Sequence, residues 1–214
     1  MTVKRKRQVG RPATMEAPRV TILAHAASLF AATGYDGTSL QDVARSVGIS
    51  KAAVYHYFAT KQQIYDEIVV ALLQKLEVFV RQRVNAASGA EEKVRAFMIA
   101  HAGFMEENFT EFVTLLHGHG GTIRPRGEAE VAARDGYEKF LRKILRDARD
   151  RGELKIDNVA SISRAILSML NWMSRWFRPT GARRATEFAD EYFSILYGGL
   201  QIKRKKASRR NSRM

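Results

Sequence analysis

Apolar residues recur at helical spacing along nearly the whole chain, and no stretch alternates apolar with polar residues between turn signals. That pattern leaves no room for hairpins and implies an all-α fold. Ile22, Leu23, Ala26, Leu29 and Phe30 form one stripe, and Gly34 stands where a helix C-terminus favours glycine. Thr38 with Gln41 reads as a capping box for a short helix carrying Leu40, Val43, Ala44 and Val47, which Gly48 stops. Ser50 caps a second short helix with Val54 and Phe58 inward. Thr60 with Gln63 opens a long helix through Ile64, Ile68, Leu72, Leu76, Phe79 and Val80 to about Asn85. Five more helices are expected at about 90–107, 109–117, 126–151, 157–178 and 185–202, with glycine and proline clusters between them.

Charge is distributed unevenly along the 214 residues. Residues 1–61 carry nine Lys or Arg against three Asp or Glu, and residues 203–214 carry seven against none, while 62–202 is nearly neutral. A neutral helical body with two basic ends implies a polyanionic partner: DNA, RNA or an anionic membrane surface. Residues 1–17 read as a flexible basic arm and 203–214 as a disordered basic tail, since neither has much to bury. The arm, with Lys4, Arg5, Lys6, Arg7 and Arg11, is a solvated segment or a minor-groove and phosphate contact. The tail is expected to add affinity without specificity. With no cysteine, disulfides, thiolate metal sites and thiol catalysis are excluded. No run of about 18 apolar residues and no signal-peptide pattern exists, so the expected location is cytoplasmic, with no membrane partner.

Two short helices joined through Gly48 have the proportions of a helix-turn-helix. The outer face of the second, with Ser50, Lys51, Ala52, Ala53, Tyr55 and His56, combines small residues with hydrogen-bond donors. Small side chains let the backbone approach base edges in the major groove, where Lys51 and His56 reach acceptors. Thr38, Ser39, Tyr57 and Lys61 lie at helix N-termini or flanks, which suits phosphates.

From Gly34 to Lys61, with the Gly48, Ile49, Ser50 turn, the Tyr55 and Phe58 pair and Lys61 in order, the chain resembles the DNA-binding domain of TetR-type transcriptional regulators. The resemblance covers residues 18 to 70 and implies a three-helix head at 18–61 and a larger ligand-binding and dimerising body at 62–202. It further implies that Ser50 to Phe58 enters the major groove, that Tyr55, Tyr57 and Lys61 hold phosphates, and that the last two helices form a four-helix bundle between protomers. Ile162, Ile166, Leu170, Phe188, Tyr192 and Leu196 are placed in that bundle. Tyr57 departs from the histidine common in the family, and the basic tail after Ile202 is an addition. A shorter stretch from Asn171 to Gly181, with Trp172, Trp176, Phe177, Arg178 and Pro179, is similar to the branch that answers to acyl-coenzyme A thioesters.

The implied function is a ligand-responsive regulator, a repressor released from a palindromic operator by an apolar or acyl-coenzyme A effector. The expected pocket residues are Phe97, His101, Phe104 and Met105 on one helix, and Met169, Trp172, Arg175, Trp176 and Arg178 on another. Met and aromatic residues line adaptable cavities, and Arg175 and Arg178 offer guanidinium forks to phosphates. His101 reads by default as a core histidine and, in a ligand-binding regulator, also as a polar anchor, and the Trp and Met run is more often plain core than pocket. His117 and His119 lack companions for a metal site, and no nucleophile elbow, phosphate loop or paired carboxylates stand out. No enzyme activity, metal or cofactor is expected. The competing reading is a general nucleic-acid-binding or architectural protein in which the basic ends act without an effector.

Overall fold

The computed structural model describes residues 18–117 and 127–200. The basic arm, the basic tail and His119 lie outside the described residues, as does the side chain of His117. Nine α-helices and no strand occur among the described residues: α1 (Pro18–Gly37), α2 (Leu40–Val47), α3 (Lys51–Tyr57), α4 (Lys61–Ala86), α5 (Gly89–Glu107), α6 (Phe109–His117), α7 (Glu128–Asp150), α8 (Val159–Met173) and α9 (Ala185–Leu200). No described helix is long and apolar enough to cross a membrane.

The head is built from α1 to α3. Ile22, Ala26 and Phe30 of α1 meet Leu40, Val43 and Ala44 of α2 and Val54 of α3, all buried, with Phe58 closing the group. α1 bends at Gly34, whose φ of 77° is costly for any residue with a Cβ. The cap of α2 lies one residue later than the spacing of Thr38 and Gln41 predicts. Ser39 Oγ accepts from Asp42 N at 3.2 Å, and Asp42 Oδ2 accepts from Ser39 N at 3.0 Å. Thr38 is turned inward instead, donating its hydroxyl to Gly34 O at 2.8 Å beside Thr33 Oγ1. At α4, Thr60 Oγ1 accepts from Gln63 N at 3.1 Å, while Gln63 Oε1 accepts from Ala59 N at 2.9 Å.

α4 belongs to two cores at once. Its Ile64 and Tyr65 pack into the head, where Tyr65 lies edge-on to Phe30 and Tyr35. Further along, Leu72, Leu73, Leu76, Val80 and Val84 are buried in the body. The body assembles around α5, which contacts α4, α6, α7, α8 and α9 and buries every residue from Ala100 to Met105. That stretch is apolar but for His101 and belongs in a core, while Glu91, Glu92, Glu106 and Glu107 mark the two ends of the helix. α8 ends at Met173, short of the expected 178, because the chain turns at Ser174 and folds Phe177 back into the core. Phe97→Ala empties a filled site at the centre of this core and is expected to cost roughly 3–5 kcal/mol. Urea denaturation checks it through a lowered midpoint at unchanged slope.

Candidate nucleic-acid interface and ligand core

α3 presents Lys51, Ala52, Tyr55 and His56 to solvent, keeps Ala53 and Tyr57 half-buried, and anchors itself through Val54. The exposed positions fall at i, i+1, i+4 and i+5, which is one face of a helix. Lys51 Nζ lies 5.7 Å from the centre of the Tyr55 ring, and the His56 ring meets Tyr57 edge-on at 5.1 Å. Ser50 stands at the helix start, where its Oγ accepts from Ala53 N at 3.1 Å. Ser39 is exposed at the start of α2 but already donates to Asp42 Oδ2 at 2.6 Å. That hydrogen bond is the main reason the Asp42 carboxyl titrates below its ordinary range. Thr38 is only 3% exposed, and its hydroxyl is used internally.

Lys61 is the position at which the geometry departs most from the expected phosphate contact. Its ammonium donates to Tyr35 O at 2.8 Å and Thr38 O at 2.9 Å and lies 4.2 Å from the centre of the Tyr35 ring. The charge serves carbonyls at the α1–α2 turn, one of which, Tyr35 O, also accepts from Thr38 N at 3.3 Å. Sequence reasoning passed over Arg19 and Arg45. Arg19 Nη1 donates to Tyr57 O at 2.8 Å, its other nitrogen pairs with Glu67, and its guanidinium covers Phe58. Arg45 is an exposed cation on α2 held by Asp42 at 3.1 Å. Only its place on the outer face of the first short helix signals it, since basic side chains there meet phosphates.

The nine residues expected to line a pocket divide into an interior and an exterior set. Phe97, His101, Phe104 and Met105 are buried on α5, and Met169 is half-buried on α8. Trp172 is 65% exposed and Trp176 39%, with Arg175 and Arg178 also at the surface. The Arg175 guanidinium lies over the Trp172 ring, Trp176 meets Phe188 edge-on, and Arg178 donates to Phe177 O. The structure does not gather the arginines with the α5 residues. Ile166 and Leu170, placed between protomers on the sequence, are buried within the chain. The outward face of α8 carries Ala165, Ser168 and Trp172 instead.

Inside the body, His101 is 1% exposed and ringed by Phe97, Phe112 and Tyr137. Its Nδ1 bonds to the Tyr137 hydroxyl at 2.9 Å, and its Nε2 has no hydrogen-bond partner among the described residues. Burial disfavours the charged ring, and a weaker interaction with Asn171 opposes it, so the pKa falls from 6.5 to about 4. Burial likewise raises the Tyr137 phenol well above its usual value, with Glu77 adding to it. His101 is thus neutral at physiological pH. Tyr137 lies 36 residues away from it, and only the stripe of Tyr137, Phe140, Leu141 and Ile144 hints that the phenol faces inward.

Two measurements follow from this geometry. Lys61→Met removes a charged donor from two carbonyls, a loss of about 1.5–3 kcal/mol. It should lower the melting temperature and leave the salt slope of DNA binding unchanged; a slope reduced by about one would place the ammonium on a phosphate. For His101, the unfolded chain binds the proton below about pH 6.5, the folded one only below about pH 4. Stability is therefore full above 6.5 and falls by ~3 kcal/mol as pH drops to 4. Relative to His101→Gln, wild type should lose that amount between pH 7 and pH 4; a constant difference would contradict the neutral buried ring.

Comparison with known proteins assigns both halves of this arrangement. Residues 22–68 match the model for bacterial regulatory proteins of the tetR family, and 87–200 match the tetracyclin repressor-like C-terminal domain. The Staphylococcus aureus biofilm operon icaADBC HTH-type negative transcriptional regulator IcaR is 32% identical over 179 residues, 82% of this chain and 95% of that protein. The TetR family transcriptional regulator PfmR of Thermus thermophilus is 42% identical, with a TM-score of 0.72 over 85% of this chain and 99% of that one. AibR in complex with isovaleryl coenzyme A and operator DNA is 27% identical, with a TM-score of 0.73 over 84% of this chain and 98% of that one. The chain therefore belongs to the TetR family and is a ligand-responsive, DNA-binding transcriptional regulator.

Proposed function

We propose that this protein is a cytoplasmic, dimeric repressor that reads a palindromic operator with α3 and releases it when an acyl-coenzyme A thioester enters the core between α5 and α7. The observation that carries the effector half is His101. A fully buried polar atom without a partner costs about 1–3 kcal/mol, and a regulator that keeps one holds a place for a ligand atom. In the tautomer in which the Tyr137 hydroxyl donates to Nδ1, the neutral ring carries its proton on Nε2. That N–H suits a carbonyl oxygen, and the surrounding Phe97, Phe112 and Phe140 suit an acyl chain. The complex of AibR with isovaleryl coenzyme A supports the class, being a similar fold with such a thioester bound.

Dimerisation is supported by Trp172, Trp176 and Ile195, three of the large apolar side chains left exposed, which lie on α8, α9 and the turn between them. Half-buried Phe188, Tyr192 and Leu196 extend that surface, and small Ala165 and Ser168 let a partner helix approach closely. On α3, Lys51 and His56 are the base-reading candidates, with Ala52, Ala53 and Tyr55 allowing close approach; Ser39, Ser50, Tyr57 and Arg45 flank them toward phosphates.

Changing Lys51 or His56 to Ala should cost about 1–3 kcal/mol on the operator and far less on random DNA. Equal losses on both would remove the recognition-helix assignment. Fluorescence anisotropy of the operator complex during titration with short- and long-chain acyl-coenzyme A compounds tests the effector. Release is expected, with the midpoint raised about tenfold in His101→Leu, the equivalent of one hydrogen bond. Release by free hydrophobic drugs but by no thioester would replace the thioester reading with a multidrug-type regulator.

A further inference from the structure

The first two turns of α4 are tied to the DNA-reading head from two sides. On one, Lys61 holds the carbonyls of Tyr35 and Thr38, and the Tyr35 hydroxyl donates to Gln62 Oε1 at 3.0 Å. On the other, Arg19 joins the C-terminal carbonyl of α3, Tyr57 O, to Glu67. Movement of this part of α4 therefore carries α3 with it. From Gln62 the connection continues, since its Nε2 donates to Asp66 Oδ1 at 2.7 Å.

Asp66 stands against the start of α7. Gly127, the N-cap of that helix, makes no side-chain cap, and a Cβ on it would lie 2.9 Å from Asp66 Oδ2. The close approach places a carboxylate beside the positive end of α7, whose first amides lack intrahelical partners. α7 then runs alongside α4 in parallel register. Gly136 lies by Glu77, and Phe140 lies under the Arg81 guanidinium at 4.0 Å. The same helix carries Tyr137, the partner of His101. A packed helix shifts as a unit, so a displacement at Tyr137 is felt at its first turn.

We infer that Asp66 is the positioning residue through which α7 and the recognition helix sense each other, by way of Gln62, Tyr35 and Lys61. The inference rests on α3 reading DNA and not on the identity of the effector. Because coupling between sites is reciprocal, operator binding must itself alter the first turn of α7. No effector is needed to see this.

Hydrogen exchange by mass spectrometry on the full chain, with and without a duplex enriched from random sequences, provides the test. In wild type, the duplex should slow exchange in α2 and α3 and also at residues 127–133, the latter at least threefold. In Asp66→Ala, and separately in Gln62→Ala, protection of α3 should persist while residues 127–133 no longer respond to DNA. Asp66→Asn, which keeps an acceptor oxygen, should retain part of the response. A merely structural role would speed exchange in α7 equally with and without DNA. A wild-type α7 that ignores the duplex, or a response intact in both alanine variants, overturns the inference. Failure to enrich any duplex overturns the operator reading and this inference with it.

Discussion

The ammonium of Lys61 at the junction of α1, α2 and α4 is the interaction on which the arrangement of the molecule depends. It binds two carbonyls at the turn after Gly34, of which Tyr35 O also accepts from Thr38 N at 3.3 Å, and it does so from the first residue of the helix that runs into the body. Charge-assisted bonds of this kind are stronger than neutral ones. Because Tyr35 also packs on Phe30 and Tyr65, the turn, α1 and α4 form one rigid unit. Tying α4 so firmly to the head makes its position in the body a determinant of where α3 points.

The body supplies the opposite condition, a core that holds a buried side-chain nitrogen without a hydrogen-bond partner among the described residues. α5 is enclosed along most of its length, and such packing resists small adjustments. His101 departs from that rule with a desolvated ring, one nitrogen bonded to Tyr137 and the other unpartnered among the described residues. Its neighbours sit on α5, α6 and α7, so whatever occupies the remaining nitrogen acts where three helices meet. A ligand shifts an equilibrium only by its differential affinity for two states. A polar contact that one packing leaves unmade is a physical source of such a difference.

Elements governed by local spacing were legible from residues alone. The two short helices, the inward Val54 and Phe58 and the exposed face of α3 all follow from period and capping chemistry. The α2 cap falls one residue from its expected place, because Thr38 with Gln41 satisfies the spacing while the structure caps the helix with Ser39 and Asp42. Burial of Thr38 against Thr33 decides between them, and that is a tertiary fact. The same holds for α8. Apolar spacing continues through Trp176 and Phe177, yet the helix ends at Met173 so that Phe177 can reach the core and meet Phe109. The resemblance implies that the last two helices pair between protomers and so places Ile166 and Leu170 there, but an apolar stripe does not say whether its partner lies in the same chain, and both are buried within it. The His101–Tyr137 pairing and the Lys61 staple span 36, 26 and 23 residues, a separation that periodicity cannot bridge.

Symmetric reading of DNA by two copies of α3 is the central claim, and methylation protection of guanine N7 in the DNA flanking the protein's own gene tests it most directly. Two recognition helices one helical turn apart should protect two patches whose centres lie about 10–10.5 base pairs apart and are related by an inverted repeat. Uniform weak protection that tracks ionic strength and shows no paired patches would contradict the account and return the binding to the basic ends of the chain.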